Sequence, residues 1–241
     1  MWTRLELKLR AKKILKNTYW KAFVASLVLS FATGGGMSFN WSFNNGDMNR
    51  GFSNINPNIF FPILALIVVA VIIVITFSIL ISIFVGGPLE VGAQKFFVRN
   101  QQEDSNLKYL GAGFAKNTYL KLALTMFLRN LYIFLWSLLF IIPGIIKSYA
   151  YRMVPYILSE NPGMKAAEAI NLSERMTKGH KADIFVLDLS FIGWVILGLL
   201  ACFIGVIFVI PYINATNAEL YLKLKGIALG KGIVNANEYT S

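Results

Sequence analysis

Apolar residues along this chain gather into runs long enough to bury a helix on every side, and the polar residues are left to the segments between them. Ile59 to Val85 is 27 residues without one charged side chain. Pro62 falls in its first turn, where a missing N–H costs a helix little. About 20 apolar residues at 1.5 Å each cross a bilayer, so the run predicts a tilted span. The same pattern predicts spans over about 21–39, 122–142, 144–159, 184–206 and 209–224. The first thins at Gly34-Gly35-Gly36, and the fourth, after Pro143-Gly144, sits at the lower limit of a crossing.

Between these runs the periodicity changes. Residues 1–20 interleave Trp2, Leu5, Leu7, Leu9, Ile14 and Leu15 with Arg4, Lys8, Arg10, Lys12, Lys13 and Lys16, which predicts an amphipathic helix on the membrane surface. Tyr19-Trp20-Lys21 follows as an interfacial anchor. The basic stretch is too long for a signal peptide and has no small-residue cleavage site. Residues 40–58, rich in Asn and Gly, read as a solvated loop, and 100–119 as a polar connection. Gly86-Gly87-Pro88 reads as an interruption, with LEVGAQKFFVRN a helical continuation beyond it. Residues 161–180 predict a cytoplasmic amphipathic helix with Met164, Ala167, Ile170 and Met176 at helical spacing, an ion pair from Glu174 to Lys178, and Gly179 as its stop.

Composition agrees with the pattern: of 241 residues 56% are hydrophobic and 15% charged, and mean hydropathy is +0.58, where soluble domains run near a quarter charged. The expected fold is a single all-α domain, a polytopic membrane helix bundle of about six transmembrane helices with Pro/Gly-broken pairs. Of 23 Lys and Arg, six spans put 19 on one side: 7 up to Lys21, 5 between Lys95 and Lys121, 4 between Lys165 and Lys181, and 3 in the tail. The positive-inside rule then expects both termini in the cytoplasm. The net charge of +11 is spread over membrane-flanking segments, so it points to anionic lipids at the N-terminal helix and not to nucleic acid.

No metalloprotease, nucleophile-elbow, phosphate-loop or dinucleotide motif is present, so neither catalysis nor a cofactor or metal is expected. Cys202 stands alone in an apolar run and reads as an inert thiol. His180, the single histidine, reads as a surface or cap residue. The remaining signal is the ionisable and amide side chains inside spans, which cost a few kcal/mol each and face a bundle interior. They are Arg129, Lys147, Arg152, Asp188, Asn217 and Glu219, with Asn214 and Thr216 beside them. Arg129 is placed to snorkel, and Arg152 to pair with Glu219 or Asp188. The chain also echoes itself, Phe140 to Ile145 matching Phe208 to Ile213 at a spacing of 68 residues, with Phe84 to Leu89 a weaker copy. Repeated breaks of this kind line a shared interior in some transporters.

Leu135-Trp136, FIIPGIIKSYAYRMVPYIL over 140–158, Glu168-Ala169-Ile170, Gly179-His180-Lys181 and Leu189 to Trp194 resemble the bacterial integral-membrane family catalogued as domain of unknown function 975. Tyr19-Trp20-Lys21, Gly87-Pro88-Leu89 and Pro211-Tyr212 fit it too. The resemblance implies a cell-membrane protein and no reaction. Two functions fit these residues. One is transport or permeation of a lipid, peptide or small amphiphile along a path lined by Arg152, Glu219 and Asn217. The other is a non-transporting membrane protein for interaction, immunity or stress response, acting through protein or lipid partners. What separates them is whether the polar residues converge on a water-accessible cavity or are sealed by Tyr149, Tyr151, Tyr156, Tyr212 and Tyr221.

Overall fold

The computed structural model describes residues 2–33, 57–200 and 204–232, and among them the chain is all-α with no strand. The helices are α1 (Arg4–Ala32), α2 (Pro57–Ile81), α3 (Gly87–Gln101), α4 (Tyr119–Leu139), α5 (Ile141–Ala150), α6 (Val154–Glu160), α7 (Ala166–Thr177), α8 (Lys181–Leu200) and α9 (Ile204–Gly230). The thinning at Gly34-Gly35-Gly36, nearly all of the expected 40–58 loop, and Cys202 lie outside the described residues.

α1 starts at its N-cap Thr3, whose Oγ1 accepts a hydrogen bond from the Glu6 N–H at 3.2 Å. No Gly or Pro interrupts the next 29 residues, so the surface helix expected over 1–20 and the span expected from 21 form one helix. Leu7, Ala11, Leu15, Ala22, Ala25 and Leu29 recur along one buried face that packs on α3 and α9. The N-terminal half therefore buries Leu7, Ala11 and Leu15 in protein and turns Leu5 and Leu9 outward, a correction to a helix lying wholly on a bilayer.

Gly86-Gly87-Pro88 does not break its helix either. A single wide turn over Ser82–Gly86 joins α2 to α3, and such a turn absorbs the N–H that Pro88 lacks. Phe61–Gln101 is thus one continuous 41-residue helix. Its two halves differ completely: Phe61 to Ile81 is exposed throughout, whereas Val91, Ala93, Phe96, Phe97 and Val98 are the centre of the core. A Cβ at Gly86 would lie 2.6 Å from the Ala32 carbonyl oxygen, so glycine there lets α1 cross. The connection expected to be merely polar holds a 3₁₀ segment, Leu107–Phe114, pressed on α3.

α4 and α5 form a tight hairpin. Phe140 is extended at φ −156°, ψ 141°, and Pro143 sits in the first turn of α5, which suits its fixed φ. A Cβ at Gly144 would lie 2.6 Å from Ser137 Cα. The expected fourth span, 144–159, is two helices, α5 and α6, parted by a turn at residues 151–153. Pro155 explains the restart: it cannot donate to residue 151 and is tolerated only in a first turn. Ser173 of α7 holds that turn, its Oγ donating to the Ala150 carbonyl at 2.7 Å and accepting from the Met153 N–H at 3.1 Å. α7 buries Ala169, Ile170, Leu172, Ser173 and Met176, while Ala167 faces outward. Gly179, at φ +82°, ends it as expected.

α8 and α9 form a second hairpin, with the Phe191 and Trp194 rings edge-on to Tyr212. Pro211 lies inside α9 and does not break it, so the sequence echo is not a structural one: the copy at Pro143 opens a helix, and the copies at Pro88 and Pro211 are carried within helices. One core joins α1 and α3 through α9, with α5 contributing Ala150. Beyond it the tips are apolar and bare, with Leu138, Ile141 and Leu197 each at least 60% exposed. Among the described residues two helices are long and apolar enough to cross a membrane, Phe61–Gln101 and Tyr119–Leu139.

Candidate functional site

The turn between α5 and α6 projects Arg152 toward α8 and α9. Its Nη2 donates to Asp188 Oδ1 at 2.9 Å and to Asn217 Oδ1 at 3.0 Å, and its Nη1 donates to Asp188 Oδ2 at 2.5 Å. Planar guanidinium and carboxylate meet as a fork, the geometry that fixes direction as well as charge. Tyr149, one turn back on α5, donates its hydroxyl to Asp188 at 3.1 Å, and its ring lies 5.7 Å from the guanidinium carbon. Three of the six candidate residues, Arg152, Asp188 and Asn217, therefore converge. Arg152, Asp188 and Tyr149 line an open cleft of about 530 Å³ between α5 and α8, walled by Ile145, Ser148 and Phe185.

The other three go elsewhere. Glu219, although buried, does not reach Arg152; it lies two residues beyond Asn217, some 200° round the helix, and its electrostatic neighbours are Arg10, Lys223 and Glu6. Arg129 does not snorkel to an aqueous face but pairs with Glu90 of α3 at 2.9 Å. Lys147 pairs with Glu174 of α7 at 2.7 Å, 5.5 Å from the centres of the Trp136 and Tyr151 rings. Glu174 thus serves α5 rather than Lys178. Asn214 donates to Ser26 Oγ at 3.1 Å, and the Thr216 hydroxyl to the Tyr212 carbonyl at 2.8 Å.

Aromatic rings close the space between these pairs. Tyr156 and Tyr221 are buried and stacked at 5.2 Å, and Tyr221 donates to Glu160, which also takes Lys225 at 2.6 Å. Tyr151 is buried as well, Tyr149 and Tyr212 partly so. His180 stands before α8, its Nδ1 3.6 Å from Asp183. Among the described residues no cluster of His, Cys, Asp and Glu has the make-up of a metal site.

The sequence does not single out Glu90, and it names Glu174 and Tyr149 without their partners, Lys147 and Asp188. Glu90 falls in the helical continuation beyond Gly86-Gly87-Pro88, and its place between Leu89 and Val91, two residues after Pro88, is the available signal. The amides of α3 go unmarked as well: Gln94, Asn100 and Gln101 are buried, and both amide atoms of Asn100 lack a hydrogen-bond partner.

Residues 138–228 match the family described as "Protein of unknown function (DUF975)". That stretch carries α5 to α9 and so the whole Arg152, Asp188 and Asn217 constellation. No curated protein and no solved structure matches the chain.

Proposed function

We propose that this chain, a member of the family of unknown function 975 through residues 138–228, is a multi-pass protein of a bacterial cytoplasmic membrane that performs no chemistry of its own. It acts by binding lipids or proteins at the membrane surface. One observation carries the reading. Each cation expected inside a span has an acid against it, Arg129 with Glu90, Lys147 with Glu174 and Arg152 with Asp188. A charge already held by a partner acts in structure, whereas a permeation path needs polar groups left free for a passenger.

The bare apolar surface supports the membrane location. Soluble monomers rarely expose contiguous apolar patches beyond a few hundred Å², and here the whole of Phe61 to Ile81 is uncovered. Six spans with both termini cytoplasmic remain the topology that gathers the basic loops on one side. Protein partners would meet the exposed faces of α1 and α7.

Transport of a small amphiphile is the second reading, and the open cleft over Arg152 and Asp188 favours it. Single cysteines at 149, 152, 216 and 219, in a chain freed of Cys202, separate the two. Protection of 216 and 219 from a membrane-impermeant thiol reagent applied from either side is the expected result, whatever the cleft positions 149 and 152 show. Labelling at 216 and 219 would mean a water-filled path and would overturn the proposal.

A further inference from the structure

A groove of about 590 Å³ runs between α1, α8 and α9, within the range of about 300–1,000 Å³ typical of ligand cavities. Lys12 and Lys16 stand on its α1 wall, and Tyr19, Trp194, Phe208 and Tyr212 line the rest. The two lysines are one helical turn apart, so their ammonium groups reach the same space. Neither has a hydrogen bond or ion pair among the described residues. Other lysines of the bundle are engaged: Lys8 with the Ser190 carbonyl, Lys147 with Glu174, Lys223 with Glu6 and Lys225 with Glu160.

The groove also has a direction. α1 and α8 run the same way, Trp2 lying beside His180 and Lys8 beside Ser190 and Phe191. Past the groove both turn bare and apolar together, α1 through Trp20, Val24 and Phe31, and α8 through Ile196 and Leu197. The lysines therefore stand on the polar side of a boundary and the aromatic rings on its apolar side. The Tyr19 hydroxyl, donating to the Phe208 carbonyl at 3.0 Å, ties the two walls there. Amphipathic rings at such a boundary, with cations just outside it, are complementary to a phosphate headgroup and the chain behind it.

We propose that this groove holds one anionic phospholipid of the surrounding bilayer, its headgroup phosphate between Lys12 and Lys16 and an acyl chain along Tyr19, Trp194, Phe208 and Tyr212. The site deepens the membrane reading above and rests on it. It is separate from the Arg152 cleft, with which it shares no residue.

The test uses the full chain in maltoside detergent, with Trp2, Trp20, Trp41 and Trp136 replaced by Phe so that Trp194 is the only indole. It is titrated with bromine-labelled phosphatidylglycerol and, separately, with phosphatidylcholine carrying the same brominated chains. Saturable quenching at lower concentrations of the anionic lipid is expected. With each lysine near a membrane surface contributing on the order of 1 kcal/mol, Lys12→Gln with Lys16→Gln weakens that binding roughly thirtyfold. Arg4→Gln with Lys13→Gln, also on exposed positions of α1, leaves it unchanged. Equal quenching by the two lipids, equal loss in the Arg4 and Lys13 variant, or competition by soluble glycerol phosphate would each overturn the assignment. Should the tryptophan-depleted chain not fold, native mass spectrometry of the wild type and the two double variants counts the same bound lipid. Flotation of the wild type with phosphatidylcholine vesicles tests the membrane reading by itself. A chain that floats without a groove-dependent preference ends this inference alone, and one that stays in the pellet ends both.

Discussion

Arg152 and Asp188 lie 36 residues apart in sequence and meet as a two-bonded fork, one from the turn that separates α5 from α6 and the other from the second turn of α8. The pair is a clamp between the two hairpins, and Asn217 of α9 extends it to a third helix at 3.0 Å.

Removing either charge therefore leaves the other poorly solvated. Arg152→Ala and Asp188→Ala each lower the melting temperature in detergent, and the double variant loses less than the sum. The coupling energy is about 1–2 kcal/mol. Arg152→Ala combined with Glu219→Ala shows no coupling, because Glu219 lies on the α1 side of α9. Additivity in the first cycle, or coupling in the second, would contradict the geometry.

Two glycines seat the Leu107–Phe114 segment on α3, and a third is its internal control. A Cβ at Gly92 would lie 2.1 Å from the Leu110 carbonyl oxygen, and one at Gly113 1.9 Å from that of Pro88, whereas Gly111 has nothing within 4 Å. Both obstacles are backbone and cannot rotate aside. Gly92→Ala and Gly113→Ala each cost about 1–3 kcal/mol, read as denaturant midpoints at constant slope, while Gly111→Ala stays within about 0.5 kcal/mol of wild type.

The continuous helix of α2 and α3 changes environment at Gly86. A photoreactive lipid carrying a carbene precursor should modify Phe61 to Ile81 and leave Val91 to Val98 untouched, as mapped by peptide mass spectrometry. Amide hydrogen exchange adds the complementary reading, with α3 protected most strongly, because its centre is the core. Equal labelling of the two halves would mean that the bare half is covered by protein.

Acid should loosen the two ends of the chain from each other. Lys223 donates to Glu6 at 2.6 Å, and this hydrogen bond above all holds the Glu6 carboxyl below its ordinary value. A carboxylate with a depressed folded value contributes stability that is fully present above its unfolded value, near ~4.3, and is lost as pH falls through the folded one. Thermal melting of wild type and Glu6→Gln should differ at neutral pH and converge as pH drops below about 4. A gap that persists at low pH would assign the effect to packing.

Whatever depends on local chemistry is legible in the chain before it folds. The all-α class follows from runs with neither strand alternation nor turn residues, and the end of α7 at Gly179 from the one residue type at ease at positive φ. Arg152 and Asp188 were recognisable as interior residues because a charge in an apolar run must find a partner. Which partner it finds was decided by the tertiary structure alone. Asn217 and Glu219 are two residues apart and equally polar, yet a helix points them to different neighbours, and only the packing of α9 between α1 and α8 sets which one meets Arg152. The same holds for proline. Residue type announces a lost N–H at Pro88, Pro143, Pro155 and Pro211, but whether the helix breaks depends on what surrounds it: a wide turn carries Pro88, α9 runs through Pro211, and a hairpin and a Ser173-bound turn form before the other two. Whether a basic amphipathic stretch lies on lipid or on protein is likewise a question of what else offers an apolar face. For the N-terminal half of α1 the folded core of α3 and α9 offers one first.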